Sequence, residues 1–318
     1  RGRLTAPLPP SVAACSPNPS LQVQQSSEKM YGTPAHTPRG SNTHEYPATS
    51  HLKLLSWVEK IRKLCRPEKI HWCDGSQQEY ERLCQELVRL GTFTKLNPIT
   101  RPGCFLARTD PRDTSRPDSA AIVSCKSKED AGPSNKWVAP EEMKAKLDAL
   151  FAGCMEGRTM FIVPFCMGPI GSPYSRIGVE ITDSIYTVVS MRIVTRMGTA
   201  ALKQLKDTQP FIACVHSVGH PLKSGTPDVA WPCNPDNLIV AHFTEEASVW
   251  SFGSQFGGNA MLSKRSVGLR LASAWGQRDK TSLTAHCSVL SFTSPEGKKY
   301  YIAAGFPSGT GKTNISIL

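Results

Sequence analysis

A chain of 318 residues is long enough for one large domain or two ordinary ones, and 39% hydrophobic with 20% charged residues suits a globular protein with a real core. No apolar run approaches the roughly 18–20 residues that cross a bilayer as a helix, which argues against a membrane segment. The formal charge of +11 is scattered, with pairs such as Lys264-Arg265 and Lys298-Lys299 but no long basic block, a pattern that speaks against nucleic acid and suits a handler of small anions.

Residues 1–50 are rich in Pro, Ser, Thr and Asn with little to bury, a composition that reads as a disordered tail. Their shortage of acids also leaves an organellar transit peptide open. The eleven cysteines include no Cys-x-x-Cys pair, so zinc-ribbon and disulfide-framework spacings are absent and reduced thiols are expected.

Ordered structure is expected from His51. "LKLLSWVEKIRKLC" places Leu54, Leu55, Trp57, Val58, Ile61 and Leu64 at helical spacing. "CDGSQQEYERLCQELVRLG" predicts a second helix, opened by a capping box of Ser76 and Glu79 and stopped at Gly91. "APEEMKAKLDALFAG" predicts a third, with Pro140 at its first position and Gly153 beyond its end. From Met160 the runs "MFIVPF", "YTVVSMRIV", "FIACVHSV", "NLIVAHF" and "ASVWSF" read as short strands bounded by Gly, Pro and Asn. "CSVLSFT", the turn "SPEGKK" and "YYIAAGF" then read as a hairpin. Helices mixed with strands predict an α/β protein.

The chain's last stretch, "GFPSGTGKTNISIL", looks like a phosphate loop between a strand and a helix start. Such a loop needs Gly-x-x-x-x-Gly-Lys-[Ser/Thr], so that backbone N–H groups converge on phosphate oxygens while Lys adds a charge and the hydroxyl holds Mg²⁺. Gly311, Lys312 and Thr313 supply the second half, but Phe306 stands where the first glycine belongs and Gly305 is one place early. A Gly-rich turn carrying a chance Gly-Lys-Thr is the competing reading.

"FPSGTGKTN" resembles the phosphate loop of the GTP-dependent phosphoenolpyruvate carboxykinase family, in which Phe-Pro-Ser replaces the usual first glycine. The segment 153–199, together with "HSVGHPL", "WPCNPDNLIVAHF", "SFGSQFGGNAMLSK", "TSPEGKKYYIAA", "CRPEKIHWCDGS" and "LARTDPRDTSR", is similar to further landmarks of that family, so the resemblance runs over roughly 55–318. It implies the family's N-terminal α/β domain over residues 51–281, followed from 282–318 by the start of a P-loop nucleotide-binding domain. It also implies the family's gluconeogenic reaction: oxaloacetate is decarboxylated and the GTP γ-phosphoryl passes to the enolate, giving phosphoenolpyruvate, GDP and CO₂. A catalytic Mn²⁺ and a second Mg²⁺ or Mn²⁺ travelling with GTP belong to that expectation, as do a monomer and a cytoplasmic or mitochondrial location.

Carried over by residue, the resemblance makes Arg116 the arginine that grips the substrate carboxylate, for which a guanidinium fork is suited. Phe256, Gly257 and Gly258 fall on the substrate-binding Tyr-Gly-Gly, and Ser308 on a substrate-contacting serine. Gly309, Thr310, Gly311, Lys312, Thr313 and Asn314 form the nucleotide cradle, and His286 is an Mn²⁺ ligand. Lys264 is the first of the family's two adjacent catalytic lysines, and Arg265 takes the place of the second, which ligates Mn²⁺ as a neutral amine. Arginine cannot shed its proton to do so. Phe256 lacks the family hydroxyl, and Thr310 replaces a reactive cysteine that phosphoryl transfer does not need. The family's downstream Asp-Asp motif and base-recognition residues are not in this sequence, so the expectation for residues 1–318 by themselves is little or no turnover. A non-catalytic remnant that binds an anionic metabolite, and an unrelated P-loop ATPase, are the alternatives.

Overall fold

The structure is a computed structural model that describes residues 13–14, 49–113, 120–132, 135–223, 225–255, 262–280, 284–306, 310–311 and 315. A two-residue strand β1 (Ala13–Ala14) precedes the first helix, α1 (Leu52–Cys65). His51 caps α1 through Nδ1, which accepts the Leu54 N–H at 3.1 Å. After β2 (Lys69–Trp72), α2 (Gln77–Arg89) starts at Ser76, whose hydroxyl accepts the Glu79 N–H at 3.0 Å. The predicted box closes differently from the standard one. Glu79 reaches back to the Gly75 N–H at 2.9 Å, because the Ser76 N–H is already bonded to Asp74 at 2.6 Å.

The strands β3 (Phe93–Lys95), β4 (Phe105–Ala107), β5 (Ala121–Ser124) and β6 (Lys136–Trp137) lead to α3 (Pro140–Phe151). Then come β7 (Thr159–Met167), β8 (Arg176–Thr182), α4 (Ile185–Val194), β9 (Arg196–Met197), α5 (Thr199–Leu202), β10 (Ile212–Ser217), β11 (Ile239–Phe243) and β12 (Ser248–Phe252). A π-helix at Leu262–Leu271 runs into α6 (Ala272–Asp279), and β13 (Ser288–Thr293) pairs antiparallel with β14 (Lys299–Ala304). β1, β4 and β3 make a small sheet.

The main sheet has nine strands in the order β2-β7-β8-β10-β12-β11-β5-β6, with β9 on β7. Side-chain alternation splits its core in two. Met160, Ile162, Val179 and Ile181 face α1 and α3, among Leu54, Ile61, Leu147 and Phe151. Phe161, Val163, Phe165 and Cys214 face α2, α4 and the π-helix, among Leu83, Leu87, Val188 and Leu271. The result is a three-layer α/β fold, in agreement with the α/β expectation.

One expectation is corrected. "YTVVSMRIV" is not a strand but the body of α4, where Tyr186, Thr187, Val188, Val189 and Met191 are buried. Ser184 starts it by accepting the Thr187 N–H at 3.1 Å. Its apolar residues run from the buried face round to the exposed Ile193 and Val194, so no single apolar stripe marks a helix, and its β-branched residues mimic a strand. The cysteines correct a second. Among the described residues nine are free thiols, but Cys104 is disulfide-bonded.

Glu180 in β8 is fully buried, and neither carboxylate oxygen has a hydrogen-bond partner among the described residues. Burial raises its carboxyl well above the ordinary value of 4.5, so the folded chain holds it protonated. Its contribution to stability is complete below that ordinary value and is lost as pH rises. Glu180→Gln removes this ionisable group, and thermal melts at pH 5 and pH 8 should show a smaller loss of stability with rising pH than in the parent.

Candidate functional site

Strands β8, β10 and β12 run parallel, and their carboxyl ends open on one crevice, where ligands bind in folds of this kind. Fully buried His216 fastens that edge. Its Nε2 lies 2.8 Å from the Ser254 carbonyl and must therefore carry the proton, leaving Nδ1 to accept from the Thr182 hydroxyl at 2.6 Å. Burial lowers the His216 pKa below 6.5, with Asp183 opposing, which keeps the ring in this neutral tautomer. Asp183 takes the Ser217 hydroxyl at 2.8 Å and the Val218 N–H at 2.9 Å. Gly253 has φ +93°, and a Cβ there would meet the Asn234 carbonyl oxygen at 2.5 Å, so only glycine passes this bend.

Two loops distant in sequence meet on Asp113, which is only 3% exposed. Its carboxylate accepts the Gln255 N–H at 2.8 Å, the Trp231 indole N–H at 2.9 Å and the Ser254 hydroxyl. Beside this junction lies a cavity of about 450 Å³, walled by Phe161, Ser184, Asp228, Arg158, Asp183 and Gln255 among others. Arg158 grips Asp228 bidentately at 2.8 and 2.9 Å and donates to the His220 carbonyl at 2.5 Å. That clamp ties the start of β7 to the loop after β10. Neither Asp113 nor Arg158 is among the sequence-predicted site residues. Asp113 does lie in the quoted stretch "DPRDTSR", where its burial was invisible.

Of the sequence-predicted residues, Arg116, Phe256, Gly257, Gly258, Ser308, Gly309, Lys312, Thr313 and Asn314 lie outside the described residues, as does the side chain of Lys264. Arg265 is half-buried on the π-helix. His286 is exposed, two residues before β13. Because Ser288 pairs with Ala304, His286 and the start of the phosphate loop at Gly305 leave the hairpin from the same end. Thr310 is exposed, Gly311 takes φ +95°, and the Ile315 N–H reaches the Gly311 carbonyl at 3.0 Å, one helical-type bond after the loop. As donors for Mn²⁺ the pair is incomplete: His286 fits, and the permanent cation Arg265 does not.

His71, Cys73 and Glu79 bring one ligand atom each within 4.8 Å of one another. Their bonding argues against a metal centre. Glu79 is already committed to His71 at 2.6 Å and to the Gly75 N–H at 2.9 Å, while an Arg82 guanidinium nitrogen sits 3.5 Å from His71 Nε2. Burial, with Glu79 and Asp74 adding to it, raises the Cys73 thiol well above its ordinary value, so it stays protonated. The cluster locks the start of α2.

The family model of the phosphoenolpyruvate carboxykinase N-terminal domain matches residues 56–277, and that of the phosphoenolpyruvate carboxykinase C-terminal P-loop domain matches 282–318. The chain is 50% identical over 269 residues to phosphoenolpyruvate carboxykinase [GTP] of Chlamydia muridarum, covering 85% of this chain and 45% of that protein. It is 50% identical over 275 residues to the Paenarthrobacter aurescens protein of the same name, and 47% over 275 residues to that of Neocallimastix frontalis, covering 86% of this chain and 45% of each relative. The chain thus spans about half the length of the curated relatives it matches. The mixed sheet, the crevice at its carboxyl edge and the hairpin leading into a phosphate loop all agree with these matches, and the chain belongs to the GTP-dependent phosphoenolpyruvate carboxykinase family.

Proposed function

We propose that this chain supplies the oxaloacetate-binding half and the phosphate loop of a cytoplasmic, monomeric phosphoenolpyruvate carboxykinase acting in gluconeogenesis. Its substrates would be oxaloacetate and GTP, and its products phosphoenolpyruvate, GDP and CO₂. One observation carries this reading: the segment ending at Asp113 and the segment ending at Gln255 are hydrogen-bonded together at the carboxyl edge of the sheet. Those segments lead by sequence into Arg116 and into Phe256-Gly257-Gly258. An arginine fork and two glycines suit a small dicarboxylate: the fork would hold a carboxylate, and the glycines would let backbone approach it.

Decarboxylation leaves an enolate whose oxygen accepts the γ-phosphoryl, so the protein must chiefly position donor and acceptor and balance their charge. Lys312 would hold phosphate oxygens, with Gly309, Thr310, Gly311 and Asn314 offering backbone around them and Ser308 facing the substrate. Lys264 would add a cation to balance the developing charge. The divalent ions of the family, Mn²⁺ and a nucleotide-bound Mg²⁺ or Mn²⁺, would polarise the substrate and the phosphates. Thr313 and His286 are the available ligands, and Arg265 is not one.

Joining residues 1–318 to the remaining C-terminal portion of the Paenarthrobacter aurescens relative tests this reading. The fusion should form phosphoenolpyruvate from oxaloacetate only when GTP is present. Arg116→Ala should lower kcat/KM by about 100-fold, roughly 2.7 kcal/mol. A folded fusion without turnover would instead favour a non-catalytic, anion-binding remnant, the reading that Arg265 supports.

A further inference from the structure

The last turn of α1 is docked on the turn that follows α3. Helix ends leave carbonyls without partners inside the helix. Here the Gly153 N–H donates to the Leu64 carbonyl at 2.8 Å, and the Met155 N–H donates to the Cys65 carbonyl at 3.0 Å. Arg66 adds an ion pair with Glu156 at 3.1 Å, and a Cβ on Gly153 would collide with the Arg66 guanidinium, so the two segments pack closely. Between these bonds Cys65 is fully buried and Cys154 is 3% exposed, in the core that α1 and α3 share with the sheet. The two thiols hydrogen-bond each other, and Cys154 also meets the hydroxyl of Ser217, which donates to Asp183 at 2.8 Å. A disulfide needs side chains that face each other over a short backbone separation, a demand that touching thiols on hydrogen-bonded backbones meet.

We propose that Cys65 and Cys154 are a redox latch, closed by a small-molecule disulfide as oxidant into a reversible bond that fastens the end of α1 to the turn before β7. One of the two, as its thiolate, attacks a sulfur of the oxidant and expels one small thiolate. The other then attacks the protein sulfur of the mixed disulfide and expels the second. The protein thiols give up two electrons and two protons, and the oxidant leaves as two small thiols. Burial, with Cys65 beside it, holds the Cys154 thiol well above its ordinary value and keeps it protonated. Exchange therefore runs through local opening of the α1 end and is slow. Once closed, the link spans about 90 residues of chain and removes the entropy of that loop from the unfolded state.

Incubating the full chain under native conditions with oxidised glutathione, against a dithiothreitol control, tests the latch. Peptide mapping without reduction should find Cys65 joined to Cys154, a link it separates from any at Cys104. Exposed Cys287 should take up glutathione first, and the internal link should follow more slowly. Denaturant melts of the oxidised chain should show an unfolding constant lowered by about 100-fold or more, restored by dithiothreitol. Hydrogen exchange should slow in peptides from 60–68 and 153–158 and stay unchanged in the β13–β14 hairpin. Cys65→Ala should abolish the link and the gain together. The proposal is overturned by oxidation that leaves Cys65 and Cys154 unlinked, by a link that brings no gain in stability, or by a gain that survives in Cys65→Ala. Should Cys65→Ala not fold, the mapped link and the two melts of the parent chain decide the question without it.

Discussion

Arg158→Ala is expected to cost the chain about 3–5 kcal/mol, enough to leave it largely unfolded or molten near 40 °C. The Arg158 side chain is 5% exposed and Asp228 14%, so removing the cation leaves a largely buried carboxylate with only the Val229 N–H among the described donors. It also releases the His220 carbonyl from the guanidinium. The wall of the cavity beside Gln255 is built on this clamp, and the damage should therefore extend to the crevice. Denaturant melts of Arg158→Ala, Asp228→Asn and the double variant measure it. The double variant should be clearly less destabilised than the sum of the singles, because each single change leaves one charge unpaired. Strict additivity would mean that the two groups do not act as a pair.

Arg265→Lys is expected to raise Mn²⁺ affinity by about tenfold or more, some 1.4 kcal/mol. The reason is chemical: a lysine beside a divalent ion loses its proton and donates a lone pair, whereas a guanidinium stays charged and repels the ion. His286 would then gain a second protein donor. Electron paramagnetic resonance of free Mn²⁺, titrated with the parent and with Arg265→Lys, reads the change directly. His286→Ala in the lysine background should abolish the gain. Equal affinity in parent and Arg265→Lys would show that position 265 does not face the ion.

The contrast between local and long-range interactions explains what could be read in advance. Helices α1, α2 and α3 were legible because their signals are local: a 3.6-residue stripe, Ser76 at a cap, Pro140 at a first turn, Gly91 and Gly153 at φ +79° and +69°. The hairpin β13–β14 was legible for the same reason, its turn closing at Gly297 with φ +81°. α4 was not, because the apolar residues of "YTVVSMRIV" follow no helical stripe and are mostly β-branched, and packing between the sheet and α2 is what favours the helix.

The phosphate loop and Arg265 could be seen in the sequence because a motif is a spacing, and Arg265 stands out by its chemistry alone. The role of Asp113 could not. An aspartate in a polar loop looks like any solvated turn residue until the fold places Trp231, Ser254 and Gln255 around it. The same holds for Arg158, whose partner lies 70 residues away. By itself the sequence determined the family, the elements with local signals and the chemistry of the phosphate loop. The tertiary structure decided which polar residues are buried and with whom they pair, because desolvation and hydrogen-bond geometry exist only once distant segments are in contact.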